Sequence, residues 1–147
     1  MGEHIRLKSA AGEIGAYLAA PKGTPKGGIV VIQEIFGVNA HVRAVTEGFA
    51  ADGYLAIAPS LFDRVRRDVA LGYSAPEVEE GRGYMLQLPQ EKVTLDIASA
   101  LAVVRHAGVQ ARFVAVARGA AGQEGLEGGQ AAGDVHRLHE GLRDGLV

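Results

Sequence analysis

Polar and apolar residues alternate at the start of the chain and then stop alternating, and that change separates two kinds of strand. His4-Ile5-Arg6-Leu7-Lys8 has the two-residue period of a strand with one face in solvent. Ser9 to Gly12 is turn chemistry, and Glu13 to Ala19 alternates again, so the two segments predict a hairpin. A Gly/Pro/Lys linker runs from Pro21 to Gly28. From Gly28 through Ile29, Val30, Val31 and Ile32 to Gln33 and Glu34 the alternation is lost, as in a strand buried on both faces in the middle of a helix-covered sheet.

Helical spacing takes over next. Asn39 suits a helix cap, Val42, Val45, Phe49 and Ala50 follow at helical intervals, and Asp52-Gly53 supplies the stop. Tyr54 to Pro59 reads as a second buried strand, and strand-loop-helix-glycine-strand is the crossover unit of a parallel sheet. Leu61 to Ala75 is irregular and basic, with Arg64, Arg66 and Arg67 read as a solvated loop. Pro76 and the acids after it mark a helix start. The clearest helix spans Pro89 to His106 on a stripe of Val93, Ile97, Leu101 and Val104; Gly108 ends it, and Arg112 to Ala117 predicts a third buried strand. The fold class is α/β.

After Ala117 the character changes. Six glycines fall between Gly119 and Gly133 with almost no large apolar residue, so 1–117 reads as the domain and 118–147 as a loosely attached or disordered tail. A short amphipathic helix is expected over Val135 to Val147. Apolar residues make up 48% of the chain, enough for a packed core, and the net charge of -2 gives no electrostatic reason to expect nucleic acid. The absence of cysteine excludes disulfides and thiol catalysis and favours a cytoplasmic setting. No apolar run approaches the roughly 18 residues of a membrane span, and no signal segment is expected at the N-terminus.

Gln33-Glu34-Ile35-Phe36-Gly37-Val38-Asn39-Ala40-His41-Val42-Arg43 closely resembles the segment after a central strand in dienelactone hydrolases. Ala51-Asp52-Gly53-Tyr54, Ala58-Pro59-Ser60-Leu61-Phe62, Glu80-Gly81-Arg82-Gly83 and Leu95-Asp96-Ile97 extend the resemblance over about Glu3 to Val116. It implies the front part of an α/β-hydrolase sheet, a truncated fold with crossover helices, and ancestry among enzymes that open small lactones and carboxylic esters with a Cys-His-Asp triad. Carried over residue by residue, Glu34 matches the acid beside the resting thiol, and the Ile35 backbone N–H matches half of the oxyanion hole. Arg82 matches an arginine that holds the substrate carboxylate. No cofactor is implied.

The departures from the family pattern bear on the chemistry. The nucleophile belongs on a tight strand-to-helix turn with flanking glycines, whereas Arg118-Gly119-Ala120-Ala121-Gly122 contains neither cysteine nor serine. Ser60 stands where an aspartate is expected. The reading is a hydrolase-family protein without catalysis by the family mechanism; the alternative is a carboxylate-ligand binder or a pseudoenzyme that self-associates through an exposed sheet edge. The break in composition suggests a reading-frame shift near Val116 to Gly119, which DNA sequencing would disprove by finding no Gly-Cys-Gly elbow in either other frame.

Each candidate also has a plainer reading. Glu34 could be a solvent-facing acid at a strand end, and Arg82 a solvated helix residue. Ser74 half-matches a nucleophile elbow, but Pro76 replaces the second glycine, so it is read as a loop serine. His136, His139 and Glu140 read as a solvated helix face rather than a metal site, and the glycine-rich tail lacks the Gly-Lys-Ser/Thr pattern of a phosphate loop.

Overall fold

In the computed structural model, residues 1–108 and 110–115 are described, with the side chains of 113–115 left aside. The alternating N-terminal segments form β1 (Glu3–Ser9) and β2 (Gly12–Ala19), which pair antiparallel as the expected hairpin. The β-branched run forms β3 (Gly28–Ile32), the capped segment α1 (Ala40–Ala51), and the next apolar run β4 (Leu55–Pro59). A short 3-10 turn (Leu61–Arg64) leads to α2 (Ala75–Gln87), α3 (Gln90–Arg105) and β5 (Ala111–Ala115).

The strands make one sheet in the order β1-β2-β4-β3-β5, with β3 parallel to both of its neighbours and β2 antiparallel to β4. Val30 lies opposite Ile57 on one side and Phe113 on the other. Successive strand residues face opposite ways, and this divides the core into two layers. Ile29 and Val31 join Val38, Val42, Ala56 and Ala58 in the layer that includes α1. Val30 and Ile57 join Leu7, Ile14, Ala100 and Val104 in the layer that includes α3. Val30, Ile57 and Val104 are wholly buried, and each such side chain contributes about 1.5–3 kcal/mol of transfer free energy. No described helix is long and apolar enough to cross a membrane.

Four expectations need correction or refinement. The first strand of the run ends at Ile32, so Gln33 and Glu34 belong to the following loop. The fully buried residues of α3 are Asp96, Ala100 and Val104, while Val93, Ile97 and Leu101 are only half-buried. The stripe turns because a charge is buried in it. Arg64 is the cause and is no solvated loop residue: its Nε donates to Asp96 Oδ2 at 2.8 Å and its Nη2 to Oδ1 at 2.5 Å. Its Nη1 reaches the Ala11 carbonyl and its Nη2 also the Gly12 carbonyl, both at 2.9 Å, so one guanidinium joins the hairpin turn to α3. Asp96 holds the Arg64 guanidinium protonated even more firmly than usual, chiefly through that hydrogen bond. Ser74, finally, is the exposed residue at the N-terminus of α2, where its hydroxyl donates to Glu77 Oε2 at 2.6 Å.

The expected strand end at Val116 and Ala117, the 118–122 segment, the loosely attached tail, the helix over Val135 to Val147 and the His136, His139 and Glu140 group all lie outside the described residues.

Candidate functional site

The resemblance centres on residues 33–39, the loop that leaves the C-terminal end of β3. An amide side chain stands at each end of it. Gln33 accepts the Leu61 N–H at 3.0 Å through Oε1 and donates to the Glu34 carbonyl at 3.3 Å through Nε2. Asn39 caps α1 by accepting the Val42 N–H at 3.2 Å, and its Nδ2 donates to the Leu71 carbonyl at 3.0 Å and the Tyr73 hydroxyl at 3.3 Å. The cap was legible in the sequence; the second set of bonds was not. Between the two amides, Gly37 N–H donates to the Glu34 carbonyl, and Leu71 N–H to the Phe36 carbonyl at 2.8 Å. The Phe36 and Tyr73 rings meet edge to face, 4.7 Å apart.

Two glycines let other segments close on this loop. Gly37 has φ +75°, and a Cβ there would lie 2.0 Å from the Val69 carbonyl oxygen. Gly81 is buried on α2, and a Cβ there would lie 2.0 Å from the Ile35 carbonyl oxygen. Both contacts are backbone against backbone, which no flexible side chain can relieve. The Ile35 peptide is thereby held from the α2 side and its neighbour from the 69–71 side.

Glu34 and Ile35 are half-buried in this loop. No hydrogen bond among the described residues engages the Ile35 N–H. Arg82 follows Gly81, so the glycine contact brings its turn of α2 to the loop. Its side chain is exposed and pairs with Glu79 at 3.1 Å. Upstream of Arg82, Glu77 fixes the start of α2 by accepting the N–H groups of Gly72 (2.7 Å) and Ser74 (3.1 Å). The Ser74 hydroxyl first, then these N–H donors, hold its carboxyl below the ordinary glutamate value. Ser60 N–H donates to the Gly15 carbonyl, which ties the end of β4 to β2. Ser74 is bonded within its own helix start and takes no part in the loop.

Sequence reasoning missed Gln33 as a clamp, although a lone amide closing an apolar strand was the available signal. It also missed Gly81, whose role depends on a contact 46 residues away along the chain. Chemically, a fixed backbone N–H at a strand end can stabilise negative charge on a carbonyl oxygen, and an exposed guanidinium such as that of Arg82, here paired with Glu79, can take a carboxylate. Among the described residues, no group of three His, Cys, Asp or Glu side chains is placed to hold a metal ion.

Comparison with known proteins identifies the family and the fold. The sequence profile described as "Dienelactone hydrolase family" matches residues 14–117. A presumed carboxymethylenebutenolidase from Synechocystis sp. is 40% identical over 91 residues, covering 61% of this chain and 37% of that protein. Another from Methylorubrum extorquens is 32% identical over 105 residues, covering 71% of this chain and 35% of the relative. The crystal structure of a presumed dienelactone hydrolase from Klebsiella pneumoniae superposes with a TM-score of 0.65 at 27% identity, covering 78% of this chain and 49% of that one. An α/β serine hydrolase without a lid from Xanthomonas campestris, at 9% identity and TM-score 0.51, shares the fold over 78% of this chain and 50% of its own. The chain thus spans half or less of the length of these proteins. With the profile matching most of its length, the chain belongs to the dienelactone hydrolase family.

Proposed function

We propose that this chain presents the oxyanion loop and carboxylate arginine of a lactone- or ester-binding site, and that it does not hydrolyse what it binds. The observation that carries the reading is the clamped loop at 33–39, where the Gly37 N–H and Gln33 Nε2 hold the Glu34 carbonyl, and with it the peptide that bears the Ile35 N–H, while Arg82 stands one residue beyond the glycine contact. A donor fixed before ligand arrives needs no reorganisation when charge develops on a carbonyl oxygen. Glu34 stands in the same loop, but the chain contains no cysteine for it to regulate. Neither cysteine nor serine occurs in 118–122, where the family pattern calls for a nucleophile. The expected result is hydrolysis of p-nitrophenyl acetate at the buffer rate. Turnover well above that rate, abolished in Glu34→Ala or Ser74→Ala protein, would overturn the non-catalytic part. Binding is tested separately: a small lactone carboxylate should shift the Ile35 amide resonance and lose affinity in Arg82→Gln.

Strand order favours a second reading, association of two copies through the sheet edge. Among the described residues β5 pairs with β3 alone, and an open edge is a template for another strand. Sedimentation of the purified chain tests it. A monomer at all concentrations excludes the reading.

A further inference from the structure

Arg66, Arg67 and Asp68, between β4 and α2, are not used by the candidate site, and with the residues that follow them they line an open hollow. Arg66, Arg67, Asp68, Val69, Ala70, Leu71 and Glu80 line a depression of about 350 Å³. Glu80 is already engaged: it accepts the Tyr84 hydroxyl at 2.6 Å and lies 3.7 Å from Arg66. Arg66 Nη1 donates to that same hydroxyl at 2.9 Å, which fixes its guanidinium against α2. Asp68 has φ +59°, a conformation supported by its N–H donating to Asp63 Oδ1 at 3.3 Å. Arg67, by contrast, is exposed and makes no hydrogen bond or ion pair among the described residues. The hollow therefore combines one anchored guanidinium, one with its donors unspent, the carboxylates of Asp68 and Glu80, and a small apolar patch from Val69, Ala70 and Leu71.

We propose that this hollow binds a small organic acid, its carboxylate on the Arg67 fork and its short apolar body against Val69 to Leu71. A planar guanidinium matches a carboxylate with two parallel N–H donors, whereas the apolar wall offers nothing to a fully solvated anion. The site is separate from Arg82 and does not depend on the lactone reading. Its wall is nonetheless shared with the oxyanion loop, because Ala70 bridges Gly37 and the Leu71 N–H holds the Phe36 carbonyl.

The test is titration of the full 147-residue chain with isobutyrate, acetate and inorganic phosphate, followed by backbone amide resonances. Saturable shifts at Arg66 to Leu71, tighter for isobutyrate than for acetate, support the site. So does a loss of about tenfold in affinity in Arg67→Gln, with Arg82→Gln unchanged. Arg67 is exposed, so its replacement leaves the fold intact, which the unshifted amides elsewhere will report. Absence of saturation, or equal affinity in Arg67→Gln, overturns the proposal. Phosphate binding as tightly as isobutyrate overturns the organic acid as its ligand, and shifts centred on Ile35 and lost in Arg82→Gln assign the carboxylate to the other site.

Discussion

Helices α2 and α3 follow each other across Leu88 and Pro89, yet opposite means hold them in place, α3 on the sheet and α2 on the loop after β3. α3 is fixed by something added to its packed side: a fully buried Asp96 whose carboxylate is forked by Arg64. α2 is fixed by something left out, the side chain of Gly81, which lets the helix rest on the Ile35 carbonyl; no other residue of α2 is buried, and Met85 and Leu86 stand in solvent. A scaffold helix can be secured by satisfying a charge in its interior. A helix that carries a candidate ligand-binding residue is positioned here by close approach, with little apolar burial to spare.

That contrast is most easily broken at Asp96. Asp96→Ala should lower stability by about 3–5 kcal/mol, since it strands the Arg64 guanidinium in a nearly closed environment. Urea unfolding would show it as a midpoint shift, and a loss under ~1 kcal/mol would mean that the pair is far better solvated than its burial indicates. The next largest effect separates two glycines of one helix. Gly81→Ala must push α2 off the loop, an overpacking cost of about 1–3 kcal/mol, and should shift the Ile35 amide resonance. Gly83→Ala meets nothing within 4 Å and should stabilise by up to about 1 kcal/mol through helix propensity. Equal effects at the two positions would refute the close-approach account.

The smallest effect is a pH dependence at the start of α2. Glu77 is held below the ordinary glutamate value by the Ser74 hydroxyl and by two N–H donors. Its folded pKa lies under its unfolded one, so the unfolded chain takes up the proton first as pH falls. The stabilisation is therefore complete above the ordinary glutamate value and lost as pH drops through the folded pKa. Comparing unfolding midpoints of native and Glu77→Gln protein should show a gap at neutral pH that closes in acid. A gap that stays constant would place the effect elsewhere.

How much of this was legible in the sequence depends on distance along the chain. The hairpin, β3, the Asn39 cap of α1 and β4 follow from patterns a few residues long, and those elements lie where periodicity puts them, with β3 ending two residues short of the expected run. The run from Gln33 to Arg43 pointed to the loop because its resemblance to the family is itself local. What local pattern could not carry was Arg64 meeting Asp96 across 32 residues, which turned a solvated-loop reading into a buried fork and shifted the inner face of α3. Asp96 inside an apolar helix was the clue, since an aspartate is seldom fully buried without a partner. The contacts of Gly37 and Gly81 were equally hidden, because a missing side chain leaves no trace in hydrophobic patterning.

The Arg64 junction also sets an order of events during synthesis. The hairpin turn at Ala11 and Gly12 receives its donors from a residue made 52 positions after Gly12, and that residue finds its carboxylate only when Asp96 has been added. At roughly 5–20 residues per second, several seconds pass between the emergence of the turn and the arrival of its lock. During that interval the hairpin exists without the contact that secures it, and the chain must be made as far as Asp96 before its N-terminal corner closes.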